Sequence, residues 1–248
     1  MNLRKFIGVL SSVTALSFTS NSTLSSLILK CDEGSRSSIS TNYVNGRGRE
    51  LVNCIENNLR REHSNLRETL GVLDTTLPGV GYATLPTGTF GIYLNDSILS
   101  DTSMALYLNG RVTCVDLIRH ELVHALIKRK SMEIGNGIWP KYSTPDIKNF
   151  TLDDYGRQFI SEGLASYFGN GVRIRELHRS WPRNIRGLYC SNRYSPGDYL
   201  VTRILDEFGA EAVPFMIRDP PRGTEVFNPR EWQNRIRGLI INSQRSRR

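Results

Sequence analysis

A chain of 248 residues with 39% hydrophobic and 23% charged residues can bury a full core, and this composition excludes wholesale disorder. Its formal net charge is +8 at neutral pH. The basic residues are scattered apart from short clusters and do not alternate with aromatic residues. We therefore expect the excess of basic residues to lie on a solvated surface, and we expect no specific nucleic-acid partner.

The first 22 residues read as a signal peptide. Arg4 and Lys5 precede an apolar run from Phe6 to Phe18, which is too short to span a membrane. An uncleaved apolar segment that packs in the core is the alternative, and the sequence defines no clear cleavage site. We expect a secreted or periplasmic protein without a transmembrane anchor. Residues 23–40 are predicted to be a disordered lead or a propeptide, and residues 41–248 a single domain.

Four cysteines, an even number, suit an oxidising compartment. They allow three pairings, and the sequence alone does not choose among them. We favour Cys31–Cys54 and Cys114–Cys190, which would tie the N-terminal segment to a helix and a later loop to the helix that follows Cys114. No CxxC spacing occurs, so a zinc site built from cysteines is not expected.

Helical and extended segments alternate in the N-terminal half. Apolar residues recur at helical spacing between Arg47 and Leu70, which predicts a helix. Residues 71–88 are rich in Gly, Pro and Thr and predict loops around a short extended piece. Strand-like runs follow at Thr89 to Leu94 and Met104 to Leu108. They are bounded by Asn95-Asp96 and by the turn pair Asn109-Gly110.

The strongest helix is predicted from Thr113 to Lys128. Thr113 and Asp116 have the spacing of a capping box, and the basic residues at positions 128–130 suit the negative end of the helix dipole. A second helix is predicted from Thr151, capped by Asp154, to about Phe168.

The remaining third of the chain is predicted to be helical. One helix should begin near Pro196, capped by Ser195 and Asp198, and end at Gly209. A short segment at positions 210–217 and a last helix at 228–241 follow. The fold class is therefore α+β, with a small strand-bearing N-terminal part that carries the Thr113 helix and a mostly helical C-terminal part.

The Thr113 helix carries the motif His120-Glu121-Leu122-Val123-His124. Residues four apart lie on one helical face, so both imidazoles can reach one zinc ion. Glu121 projects beside the metal, where its carboxylate can take a proton from the attacking water.

The alternative is an amphipathic core helix whose histidines are incidental. Two observations weigh against it. His120 and His124 lie off the apolar stripe of Val115, Ile118, Leu122 and Leu126, and only two other histidines occur in the chain.

A third ligand is expected on the second helix, in the segment Glu162-Gly163-Leu164-Ala165-Ser166-Tyr167. An HExxH motif followed on a later helix by Glu-Gly-Leu-Ala-x-Tyr resembles the gluzincin zinc peptidases, near their aminopeptidase and collagenase branches. The resemblance covers about residues 113–209. It implies one zinc ion per chain, held by His120, His124 and Glu162, and a small residue at Gly163 that permits close helix packing.

The same resemblance implies a catalytic tyrosine. Tyr194-Ser195-Pro196-Gly197 is similar to the Tyr-x-x-Gly helix start whose tyrosine stabilises the oxyanion in gluzincin aminopeptidases. Tyr194 is the first candidate for this role, with Tyr199 in reserve. A packing tyrosine at a helix start is the alternative.

The chain departs from the gluzincin pattern in two places. The segment between His124 and Glu162 is long, which implies an inserted loop. Ser166 also occupies the position where many relatives carry an acidic residue that orients a metal-binding histidine. We therefore expect another group, such as Asp116, to orient the imidazoles.

The function that these residues predict is zinc-dependent hydrolysis of peptide bonds in an extracytoplasmic peptide or protein. The Gly-x-Met-Glu-Asn pattern that clamps a substrate amino terminus is absent, which favours an endopeptidase over an aminopeptidase. Two alternatives remain open. One is an inactive exported binding protein that keeps the fold, and the other is a zinc hydrolase that acts on a non-peptide amide.

Overall fold

A computed structural model describes residues 47–83, 91–94, 97–101, 113–136, 151–176, 181–184 and 194–247. These residues are mostly helical and include a small sheet, as the predicted α+β class requires. The predicted signal peptide and lead segment lie outside the described residues. The longer elements are α1 (Arg47–Leu70), β1 (Gly79–Ala83), β2 (Gly91–Leu94), β3 (Ser97–Asp101), α2 (Cys114–Glu133), α3 (Leu152–Leu164), α4 (Tyr194–Phe208), α5 (Val213–Arg218) and α6 (Pro229–Arg245).

Helix α2 is the centre of the fold. It begins at the predicted capping box, where the Thr113 hydroxyl accepts from the Asp116 amide and the Asp116 carboxylate accepts from the Thr113 amide. Ile118, Leu122 and Leu126 of the predicted apolar stripe lie in the core, while Val115 is half-buried against it. The core also contains Leu117, Val123 and Ile127 from other faces of the helix. Helix α1, strand β2, helix α5 and the turn after α3 pack around α2, so burial is not confined to one stripe.

The disulfide pairing proposed from the sequence is wrong. Cys54 on α1 is bonded to Cys114, the first residue of α2, and their Cα atoms lie 6.3 Å apart. This bond contradicts both predicted pairs, Cys31–Cys54 and Cys114–Cys190. Packing of α1 along α2 brings the two cysteines together, and sequence spacing does not reveal such a contact. Cys31 and Cys190 lie outside the described residues.

Replacing both Cys54 and Cys114 with serine should destabilise the protein by about 2–5 kcal/mol, because the bond closes a loop across 60 residues in the unfolded chain. Urea unfolding of the variant and the wild type would measure the difference. Cys114 recovered in a non-reducing peptide map joined to a cysteine other than Cys54 would contradict the pairing.

The sheet has the strand order β1-β3-β2. β3 runs parallel to β1 and antiparallel to β2, with Leu94 paired to Ser97. β2 confirms part of the strand predicted at 89–94, and β1 is the predicted short extended piece. β3 was not predicted, and the strand predicted at 104–108 lies outside the described residues.

Three glycines allow the helices around α2 to approach closely. A Cβ atom on Gly163 of α3 would lie 2.3 Å from the carbonyl oxygen of Gly197 on α4, and one on Gly197 would lie 2.2 Å from that of Phe159. Gly169 lies directly on α2, since its Cβ would be 2.8 Å from Cα of His120. The small residue expected at position 163 is therefore required by the packing.

The C-terminal helices lie close to their predicted positions. Helix α4 begins at Tyr194, so Ser195 is in its first turn rather than at its cap. Helix α6 begins at Pro229 as predicted and continues beyond Ile241 to Arg245, with Trp232 fully buried against the core. Within the described part of the chain, no helix combines the length and apolar character that crossing a membrane requires.

Candidate metal centre

Two buried helices bring the three predicted metal ligands together. His120 and His124 lie one turn apart on α2, and Glu162 lies near the end of α3. Their exposed fractions are 4%, 6% and 3%, although all three are polar. Burying such groups costs free energy unless they are paired or bind a metal, so their convergence calls for a chemical explanation.

The ligand atoms of the three side chains form a compact triangle. The Nε2 atoms of His120 and His124 are 3.3 Å apart, and each is 3.6 Å from Oε2 of Glu162. The imidazole rings are nearly perpendicular, with an interplanar angle of 81°. Among the described residues, Oε2 of Glu162 has no hydrogen-bond partner.

This triangle has the dimensions of a metal site. A point equidistant from the three atoms lies about 2.0 Å from each, which is the length of zinc–imidazole and zinc–carboxylate bonds. Two nitrogens and one carboxylate oxygen are also a donor set typical of a zinc ion with one open position. The residues present therefore fit a metal ion.

The electrostatics of Glu162 are dominated by the two histidines. Burial alone would raise the pKa of its carboxyl, but the nearby imidazoles of His124 and His120 lower that pKa to about 2. The carboxylate is therefore ionised at neutral pH and available as an anionic ligand.

The pKa of Glu121, in contrast to that of Glu162, is raised above its usual value. Burial and, to a smaller extent, the neighbouring Glu162 carboxylate raise the pKa of its carboxyl. Charge on His120 and a hydrogen bond from the Tyr93 amide lower that pKa, and the net result is a pKa of about 7. A carboxyl group with a pKa near 7 can both accept and release a proton at neutral pH. Strand β2, which carries Tyr93, thus contacts the candidate site directly.

Neutral side chains orient the two imidazoles. Nδ1 of His124 is 2.9 Å from the hydroxyl oxygen of Ser161, and Nδ1 of His120 is 3.3 Å from Nδ2 of Asn170. The expectation that Asp116 orients them is wrong, because its carboxylate accepts from the backbone and hydroxyl of Thr113 in the helix cap. The buried hydroxyl of Ser166 has no hydrogen-bond partner among the described residues.

The tyrosine candidates are only partly described. Tyr194 is the first residue of α4, and its side chain lies outside the described set, so its predicted role stays a prediction. The Gly163–Gly197 contact fixes this end of α4 against α3, beside Glu162. Tyr199 is buried, with its ring edge-on to Trp181 at 5.9 Å, which is a packing arrangement.

Sequence reasoning missed Ser161, Asn170 and the Tyr93 amide. Ser161 immediately precedes Glu162, so its position beside the third ligand was a usable signal. Asn170 lies in a Gly-Asn-Gly segment, which is typical of a helix end and gives no sign of a contact with His120. A backbone donor such as the Tyr93 amide leaves no mark on the sequence.

The site is thus a buried group of two histidines and one glutamate that could hold a metal ion, with a second glutamate beside it. The sequence matches no protein-family model, no curated protein and no solved structure.

Proposed function

We propose that this protein is a zinc-dependent endopeptidase of the gluzincin type. The observation that carries the proposal is the triangle of His120, His124 and Glu162, whose dimensions suit zinc, with Glu121 next to it on the same helix. Zinc, when bound by these three side chains, would act as a Lewis acid toward the substrate carbonyl.

Glu121 is the general base in this proposal. Its carboxylate accepts a proton from the water that attacks the scissile carbonyl and then donates it to the leaving amine. Burial favours this cycle, since it raises the pKa of the carboxyl to about 7 and so makes both steps accessible at neutral pH. The presence of Glu121 beside intact ligands favours an enzyme over an inactive binding protein.

Strand β2 would hold the substrate in an extended conformation. Among the described residues β2 pairs only with β3, so it lies at one edge of the sheet. Contacts with α2 place this strand beside the candidate site. An extended peptide paired to such an edge would bring its backbone near Glu121 through main-chain hydrogen bonds that are tolerant of sequence.

We place the enzyme outside the cytoplasm, in a secreted or periplasmic location. The signal-like N-terminus suggests export, and the Cys54–Cys114 bond is of a kind that persists in oxidising compartments. The substrate would then be an extracytoplasmic peptide or protein.

The purified protein should contain one zinc ion per chain and cleave internal bonds in a mixed library of unstructured peptides. Elemental analysis and mass spectrometry of the products would measure both. Absence of zinc after incubation with the metal would refute the proposed site. Stoichiometric zinc without peptide cleavage would refute the peptidase and leave the amide hydrolase or the binding protein.

Replacing Tyr194 with phenylalanine should lower the turnover rate by about 10²–10³-fold, because the lost hydroxyl would stabilise charge only in the transition state. Zinc content and KM should change little. Tyr199→Phe is the matched control on the same helix, and it should keep its activity if Tyr199 only packs against Trp181. Full activity in Tyr194→Phe would remove Tyr194 from the mechanism.

A further inference from the structure

The orientation of His120 depends on which of its ring nitrogens carries the hydrogen. An imidazole that binds a metal through Nε2 must carry its hydrogen on Nδ1, so the group facing Nδ1 has to accept a hydrogen bond. Ser161 meets this requirement for His124, since a hydroxyl oxygen can accept. For His120 the group is the side-chain amide of Asn170, which has both a donor end and an acceptor end.

The structure holds Asn170 with its donor end toward the ring. Nδ2 lies 3.3 Å from Nδ1 of His120, which makes Nδ1 the acceptor and places the ring hydrogen on Nε2. The hydrogen on Nε2 of His120 then points into the triangle of ligand atoms that this nitrogen forms with His124 and Glu162. The carbonyl oxygen of Asn170 is buried and has no hydrogen-bond partner among the described residues.

Rotating the side-chain amide of Asn170 by half a turn reverses the end that faces His120, the position of the ring hydrogen and the lack of a partner for Oδ1. It exchanges the oxygen and the nitrogen within the same volume and brings Oδ1 to Nδ1 of His120. The buried oxygen then gains a partner, which removes the free-energy cost of an unsatisfied buried polar group. The ring hydrogen moves to Nδ1, and Nε2 presents its lone pair to the ion.

We propose that Asn170 is a positioning residue whose amide selects the tautomer of His120, turning Oδ1 toward Nδ1 so that Nε2 is free to bind the metal. This inference rests on the metal site of the proposed function, but not on its peptidase activity. Asn170 thereby fills the role for which sequence analysis considered Asp116.

A local distortion of the helix brings Asn170 to this position. Residues Ala165–Gly169 form a π-helical turn at the end of α3. The backbone of Gly169 lies against that of His120, where a Cβ atom would be 2.8 Å from both Cα and N. The next residue, Asn170, therefore contacts the imidazole of His120, although it lies four residues after Ser166, the position where the gluzincin pattern has its orienting group. Because its acceptor is a neutral amide, Asn170 enhances the basicity of His120 less than a carboxylate would.

Two substitutions of Asn170 distinguish the effect of its hydrogen-bond acceptor from the effect of its side-chain volume. Asn170→Leu keeps the approximate shape and removes the acceptor, so the dissociation constant for zinc should rise by about 10–100-fold in competition with a chelator. Asn170→Asp offers only acceptors and should bind zinc at least as tightly as the wild type. Asn136→Leu is the control. Asn136 is also half-buried, and its amide donates to a backbone carbonyl, that of Ile217, 3.0 Å away, so its loss should leave zinc affinity unchanged.

The tautomer itself is measured by nitrogen NMR of the His120 ring, which a purely structural role of Asn170 would not change. The zinc-loaded wild type and metal-free Asn170→Asp should carry the hydrogen on Nδ1. Metal-free Asn170→Leu, which has no acceptor at this position, should carry it on Nε2, where Oε2 of Glu162 is 3.6 Å away. Equal zinc affinity in the wild type and Asn170→Leu, or one tautomer in all metal-free forms, would overturn the inference. If the wild type bound no zinc, the proposed function would fail, and the metal-free tautomers would still decide the role of Asn170.

Discussion

Replacing Glu121 with glutamine should lower peptide turnover by about 10²–10⁴-fold while zinc content and folding stay unchanged. The amide has nearly the same shape as the carboxyl group, and its oxygen can still accept from the Tyr93 amide. It cannot accept a proton from the attacking water. The rate constant for cleavage of a library-derived peptide, with zinc measured in the same preparation, would test this expectation.

Glu68→Gln is a suitable control, since Glu68 is exposed on α1. Activity close to that of the wild type in Glu121→Gln would contradict the role of Glu121 as general base. Loss of both zinc and activity would instead indicate that Glu121 supports the metal site.

Replacing His124 with alanine should remove the metal and abolish activity. The substitution deletes one of three ligands and leaves the buried carboxylate of Glu162 with one imidazole partner instead of two. Breaking a buried charge network in this way typically costs about 3–5 kcal/mol, so unfolding in urea should shift as well. Zinc content, catalytic rate and the unfolding midpoint would be measured on the same preparation.

His63→Ala separates the loss of a ligand from the loss of a buried histidine. His63 is as buried as His120, but it lies on α1 and contacts Arg129 at 3.3 Å. Its replacement should destabilise the protein and leave one zinc ion per chain. A His124→Ala variant that retained stoichiometric zinc would contradict the proposed ligand set.

Features set by neighbouring residues could be predicted from the sequence. Both capping boxes, Thr113 with Asp116 and Thr151 with Asp154, lie where the spacing placed them. The four-residue spacing of His120 and His124 predicted that both lie on one helical face. The resemblance to the gluzincins implied Glu162 as the third ligand, and the structure brings all three side chains together. Membership of this protein in the gluzincin family remains a proposal.

Features that depend on contacts between distant segments could not be predicted in the same way. The Cys54–Cys114 bond follows from the packing of α1 on α2, and four cysteines give no information on that packing. Asp116 was considered as an orienting group because it precedes His120 by one turn. The helix cap engages its carboxylate instead, and Asn170 reaches the ring through the π-helical turn.

Strand β3 could not be predicted because its own sequence has little preference for a strand. The sequence Ser97–Asp101 has two serines and an aspartate in five residues, so its intrinsic preference for a strand is weak. It is a strand because it pairs with β1 on one side and β2 on the other.

The close glycine contacts around α2 also bear on which ions the site can select. Gly169, just after α3, rests on the backbone of His120 in α2, and Gly163 of α3 rests on that of Gly197, so moving α2 and α3 apart to widen the site would break close packing. Calcium, which prefers six to eight oxygen ligands at about 2.3–2.6 Å, would need a wider and more flexible cage. Cobalt, nickel and copper ions accept nitrogen ligands as zinc does, so geometry alone gives little discrimination among them. Which of these ions the site would hold then depends on the supply of metal in the compartment where the protein folds.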